Sequence, residues 1–152
     1  YQMIVWIPEL LFRGILDSMY KLISPQKLEV KKTTNKGYGV FATQPIYKFE
    51  IIEECHLLFI PPPILNDNPN FLRDYIFNHP REISAEGRVL PLGFGCIYNH
   101  SNNNNAIWQD HPHIENIFQF IAIKDIPGGE EVCTKYGDES YWDEGRSHIE
   151  LF

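Results

Sequence analysis

Gly95-Cys96-Ile97-Tyr98-Asn99-His100-Ser101 and Gly129-Glu130-Glu131-Val132-Cys133-Thr134-Lys135-Tyr136-Gly137 decide how this chain reads. The first sets an amide beside an imidazole, just after a small glycine-containing segment. The second reads as a turn, an acidic pair, a short strand and a tyrosine at the strand's end. A third stretch, Lys36-Gly37-Tyr38-Gly39-Val40-Phe41-Ala42, lies near the start. Glycines there let backbone approach a ligand closely, because no Cβ intervenes. A hairpin turn is the alternative for the same residues. The stretch is not a dinucleotide-binding fingerprint, since no third glycine and no helix follow.

Around these segments, 152 residues fit one domain. Hydrophobic residues make up 43% and aromatics 14%, which excludes a disordered chain. The net charge of −7, from 13 basic and 20 acidic groups, argues against nucleic acid as a direct ligand. It suits a cationic partner such as a lysine-rich peptide, steered by the surface field. Cys55, Cys96 and Cys133 stand far apart with no C-x-x-C pair, against both a disulfide framework and a structural zinc site. They read as small buried apolar residues in a reducing, intracellular compartment, with no metal expected. Residues 1–8 are uncharged but too short for a bilayer span, and they lack the basic flank and cleavage site of a signal peptide. No membrane partner is expected. Tyr1 in place of Met suits a processed or trimmed start, or a piece of something longer.

Residues 9–23 carry a helical pattern. Leu11, Phe12, Ile15, Leu16, Met19 and Ile23 form an apolar stripe, and Glu9, Arg13, Asp17 and Lys21 recur every four residues. Pro8 suits the start and Pro25 the stop, while Gly14 costs about 1 kcal/mol relative to alanine. After Pro25 the signals become short strands at 27–31, 39–43, 50–60, 106–109, 117–123 and 130–136. Pro61-Pro62-Pro63 ends the third of them. Residues 71–77 suit one or two helical turns, and Asn102-Asn103-Asn104-Asn105 is a loop by its turn chemistry. The result is a mostly β, α+β chain: a helical extension over 1–25, one domain over 26–144 and a tail over 145–152.

In their order and spacing, the three stretches resemble the SET domain family of protein lysine methyltransferases, and above all its short, single-domain viral and bacterial members. Gly93-Phe94-Gly95 before Asn-His-Ser, and the ending Tyr136-Gly137-Asp138, carry the closer likeness. Asn104 stands where the family usually has proline, and Thr134 falls one place late. The resemblance implies a β-clip-like fold of small curled sheets, with a C-terminal segment threaded as a pseudoknot that brings Asn99 next to Tyr136. It implies S-adenosylmethionine as cofactor, contacted by Lys36, Gly37, Tyr38 and Gly39, by Asn99 and His100, and by Tyr136. Trp142 either stacks on the adenine or is simply buried. Tyr136 is the catalytic residue the resemblance points to, with Tyr75 set against the substrate amine. Tyr38, Tyr75 and Trp108 would line the lysine channel, and plain core packing is the alternative for each.

The implied reaction is methylation of a lysine in a protein or peptide, with a histone tail the leading substrate class. A non-histone protein substrate and a non-catalytic peptide-binding module are the alternatives. Cofactor and peptide would enter from opposite faces, the peptide adding as a strand. Viral members act as homodimers, so the helix over 9–23 serves either a dimer contact or packing in cis. Nucleus and cytoplasm are equally open.

Overall fold

The computed structural model describes residues 20–61, 75–78 and 87–137. In chain order its strands are β1 (Leu28–Lys32), β2 (Tyr38–Ala42), β3 (Ile51–Phe59), β4 (Phe77–Asn78), β5 (Arg88–Pro91), β6 (Asn99–His100), β7 (Ala106–Asp110), β8 (Ile117–Ala122) and β9 (Glu131–Thr134). They form two small sheets. One has the order β1-β2-β9-β6, the other β4-β5-β3-β8-β7. Neighbours are antiparallel throughout, except that β6 runs parallel to β9. A bridge between Ile46 and Ile126 links the loops that precede β3 and β9.

Aromatic and β-branched side chains explain these strands, and their inward faces make the core. Phe118 and Phe120 on β8 are fully buried, as are Val40 on β2 and Val132 on β9. Burying each large side chain contributes about 1.5–3 kcal/mol. Trp108 stacks on Phe118 at 4.7 Å, and Phe77 meets Trp108 edge-on at 5.3 Å. Tyr98 lies against Phe120 at 4.7 Å, so this core reaches the segment just before Asn99.

All six expected strands are present, with ends shifted by a residue or two, and β4, β5 and β6 are additional. Two helical expectations gain no support from the described residues. Of the helix expected over 9–23, residues 9–19 lie outside the described residues, and 20–23 are not helical. Ile23 instead donates its N–H to the Glu54 carboxylate at 3.0 Å and accepts the Glu54 N–H at 2.9 Å. The Tyr20 hydroxyl donates to the same carboxylate at 2.7 Å, so a buried side chain on β3 fixes this segment in irregular form. Residues 71–74 of the turns expected over 71–77 also lie outside the described residues. Phe77 is in β4, paired with Val89, because its ring is drawn into the aromatic cluster. Trp142 and the tail over 145–152 lie outside the described residues as well.

Among the described residues two non-glycine positions are left-handed, Asn116 at φ 60°, which asparagine tolerates, and Phe49, which is strained. Phe49 has φ 71°, a left-handed conformation that suits glycine, in the turn closed by the Glu50 N–H to the Tyr47 carbonyl at 2.9 Å. Such a residue costs of order 1–3 kcal/mol. Its side chain is 74% exposed and recovers little of that by burial. Phe49→Gly is therefore expected to stabilise the protein by about 1 kcal/mol, after the extra chain entropy of glycine, and to raise Tm by about 3 °C. Thermal unfolding checks this, and a lowered Tm would show that the Phe49 ring makes a stabilising contact.

Candidate active site

Strand β9 is gripped on both edges. On one side Val40 and Phe41 of β2 pair with Val132 and Glu131. On the other, Asn99 pairs with Cys133 and His100 with Thr134, and the Ser101 N–H continues the ladder to the Thr134 carbonyl at 3.0 Å. The buried Asn105 side chain completes the grip. Its Oδ1 accepts the Cys133 N–H at 2.9 Å and its Nδ2 donates to the Glu131 carbonyl at 2.8 Å. Buried amides persist where every donor and acceptor is met, as these are.

This grip decides where Tyr136 lies. Two residues past β9, its N–H donates to His100 Nδ1 at 3.1 Å and its hydroxyl donates to the Tyr98 carbonyl at 2.8 Å. The Tyr136 and His100 rings are 5.5 Å apart. An acceptor Nδ1 places the imidazole proton on Nε2, which faces Asn102 Oδ1 at 3.2 Å. Burial lowers the His100 pKa, and the charges of Lys36 and Lys135 lower it further, against the opposing Asn102 hydrogen bond. His100 is therefore held neutral.

Asn99 is fixed with equal care. Its Nδ2 donates to Glu131 Oε1 at 2.7 Å and to the Tyr38 carbonyl at 3.2 Å, which uses both amide hydrogens. The side-chain Oδ1 is left as an acceptor for a ligand's N–H or ammonium group. Lys36 reaches the same place, with Nζ donating to the His100 carbonyl at 3.3 Å, and brings a positive charge suited to a ligand carboxylate. An acceptor and a cation on neighbouring elements fit the two charged groups of an amino acid. This donor set is what an amino-acid-bearing cofactor such as S-adenosylmethionine needs.

The two glycines of the β1–β2 hairpin differ in purpose. Gly37, at φ 72°, has open space around the position of a Cβ, so its need is the left-handed turn. At Gly39 a Cβ would collide with the Glu131 carboxylate and lie 2.8 Å from Asn99 Nδ2. Gly39 thus clears room for the protein's own Glu131–Asn99 pair.

The remaining expected residues are more dispersed. The Tyr38 ring is 64% exposed and the Tyr75 ring 52%, and among the described contacts neither touches Tyr136. Trp108 is half-buried in the aromatic cluster with Phe77 and Phe118. Among the described residues there is no cluster of metal-binding side chains, and Cys55, Cys96 and Cys133 are free thiols. Three contributors were not expected: Glu131, Asn105 and Tyr98. The first two are readable only once β9 is known to dock beside β6, and the third acts through its backbone carbonyl, which no sequence pattern marks.

The SET domain signature matches residues 37–137. A Schizosaccharomyces pombe protein, a histone-lysine N-methyltransferase specific for H3 lysine-37, is 28% identical over 121 residues, covering 79% of this chain and 80% of that protein. The Danio rerio N-lysine methyltransferase KMT5A-A is 30% identical over 148 residues, or 88% of this chain. The chain spans only 39% of that relative's length. Among solved structures, a Plasmodium falciparum protein described as a candidate histone methyltransferase superposes with a TM-score of 0.61 at 31% identity, covering 74% of this chain and 95% of that one.

The state of His100 gives a testable pH dependence. Its folded pKa is lowered, whereas an unfolded histidine titrates near about 6.5. Its contribution to stability is therefore complete above about 6.5 and is lost as pH falls below that through the lowered folded value. Protonation of Nδ1 would also remove the acceptor for the Tyr136 N–H. Below pH about 6.5, Tm of the wild type should fall more steeply than that of His100→Asn, whose side-chain oxygen cannot titrate. Parallel Tm–pH curves would contradict this role.

Proposed function

Because the chain belongs to the SET domain family, we propose that it transfers methyl groups from S-adenosylmethionine to a lysine amine in a histone tail. It is a protein-lysine N-methyltransferase. The observation that carries the reading is the convergence of Tyr136, His100 and Asn99 on one end of β9, with the Tyr136 hydroxyl tied to the Tyr98 carbonyl at 2.8 Å.

The bound cofactor supplies an electrophilic methyl group on a sulfonium sulfur. This chain's task is to hold, orient and desolvate. Asn99 Oδ1 and Lys36 hold the amino-acid end, and His100, kept neutral, keeps Tyr136 in register. Displacement at a methyl carbon needs nucleophile, carbon and leaving group nearly in line. Well-oriented reactants reach effective molarities on the order of 10⁵ M and above, so orientation supplies much of the rate. A lysine amine, with a reference pKa of about 10.4, must be neutral to attack, and a channel that removes water favours that form. The Tyr136 hydroxyl proton is committed to the Tyr98 carbonyl. Its oxygen orients the amine N–H and stabilises positive charge developing at the methyl carbon. A phenol with a pKa of about 10 is no general base at neutral pH.

Several finer assignments follow from the same reading. Tyr38 and Tyr75, both exposed, supply aromatic walls for the lysine stem, Trp108 limits the space at its end, and Trp142 covers the adenine. The peptide adds as a strand to a sheet edge, and the C-terminal segment threads as in the viral and bacterial members. The histone tail draws support from the net charge of −7 and from the named substrate of the yeast relative. An intracellular site of action and a homodimer complete the proposal.

Tritiated S-adenosylmethionine offered with core histones, ribosomal proteins and bulk lysate tests the proposal. Label is expected on a histone band, and Tyr136→Phe is expected to lower transfer by about 10²-fold or more while cofactor binding persists. Label on a non-histone band alone would refute the histone assignment. Undiminished transfer by Tyr136→Phe would remove Tyr136 from the chemistry.

A further inference from the structure

Strand β3 carries two consecutive buried carboxyls, on opposite faces of its sheet, and Glu54 is the more fully bonded of the two. Glu54 accepts from Tyr20, Ile23 and Gln119. Glu53, 1% exposed, accepts the Phe94 N–H on Oε2 at 3.3 Å, while its Oε1 has no partner. The Tyr98 hydroxyl, equally buried and facing this carboxyl, has none either. The two groups face each other closely enough to interact, each a polar neighbour of the other.

The titratable groups described beside Glu53 are thiols and a phenol. The thiols of Cys55 and Cys96 flank it, and burial pushes that of Cys96 up to about 12. No lysine or arginine among the described residues pairs with Glu53, and burial raises its pKa. Burial disfavours the charged form, against the opposing contributions of the Tyr98 hydroxyl, the Phe94 N–H and the Cys55 thiol. The turn between β5 and β6 is packed onto it, and a Cβ at Gly93 would lie 3.1 Å from Glu53 Oε2. A leucine would fill the same space but leave the Phe94 N–H without its acceptor, so the carboxyl is here for its polar contacts and not for bulk.

Tyr98 connects this pocket to the site. Its ring rests on Phe120 at 4.7 Å, its hydroxyl faces Glu53, and its carbonyl accepts the Tyr136 hydroxyl at 2.8 Å. We propose that Glu53 is a positioning residue: one carboxyl oxygen holds the Phe94 amide, the other engages the Tyr98 hydroxyl, and together they set the carbonyl to which the Tyr136 hydroxyl is tied. This inference rests on the methyl-transfer reading for its kinetic consequence, but not for its structural one.

Four proteins test it: wild type, Glu53→Ala, Glu53→Gln and Tyr98→Phe. For each, the ring signal of Tyr136 is followed by NMR of tyrosine-labelled protein, alongside kcat, peptide KM and cofactor Kd. Glu53→Ala should move the Tyr136 signal and lower kcat by tenfold or more, with KM and Kd within twofold of wild type. Glu53→Gln, which keeps an acceptor for the Phe94 N–H and a polar atom toward the Tyr98 hydroxyl, should retain both signal and kcat. Should Glu53→Ala fail to fold, Tyr98→Phe carries the test, because it keeps the ring on Phe120 and removes only the hydroxyl. An unmoved Tyr136 signal and unchanged kcat in Tyr98→Phe or in folded Glu53→Ala overturn the proposal. If the wild type transfers no methyl group, the functional reading fails, and the Tyr136 signal still decides for or against Glu53.

Discussion

The parallel pairing of β6 with β9 is the constraint on which the site depends. Two residue pairs, Asn99 with Cys133 and His100 with Thr134, join segments far apart in sequence. Local propensity supplies none of that contact, and closing so long a loop carries an entropic cost. The buried Asn105 offsets it by bonding β9 backbone at two points, and β2 closes the opposite edge. With β9 fixed, Tyr136 has little freedom: its N–H meets His100 and its hydroxyl meets Tyr98. The geometry proposed for methyl transfer is thus a consequence of sheet order.

Electrostatics on β3 support this arrangement from behind. Glu54 secures the segment 20–23 against the five-stranded sheet, and Glu53 lies under the turn that leads to Tyr98. One face of the strand ties down the chain's approach, and the other faces the machinery. The acidic pair Glu130-Glu131 has a parallel division. Glu131 bonds the Asn99 amide, and Glu130 receives Asn105 Nδ2 at 3.3 Å. Carboxylates here orient amides, and the surplus of negative charge in the composition is partly structural.

Much of this was legible in the sequence, for identifiable reasons. The six expected strands are runs of β-branched and aromatic residues long enough to show their character. Strand β6 is two residues long and exists only through its partner, so no local pattern marks it. Strand β5 hides behind its own brevity and Pro91. Phe77 reads as part of a helical turn until the cluster of Trp108, Phe118 and Phe120 claims its ring. Asn99, His100 and Tyr136 are marked by the resemblance to SET domains and not by local pattern, and the structure brings them together. Glu131 and Asn105 were in view as motif letters, yet their bonds to Asn99 and β9 depend on docking that sequence does not display. Tyr98 contributes a carbonyl, which every residue has.

Calorimetric titration of S-adenosylmethionine into the wild type and Asn99→Ala tests most directly whether the end of β9 is a cofactor site. The account predicts saturable one-site binding by the wild type, weakened in Asn99→Ala by about 1–3 kcal/mol, or roughly 5- to 150-fold, for the loss of a buried hydrogen-bonding group. No binding at millimolar cofactor, or equal affinity in the two proteins, would contradict it.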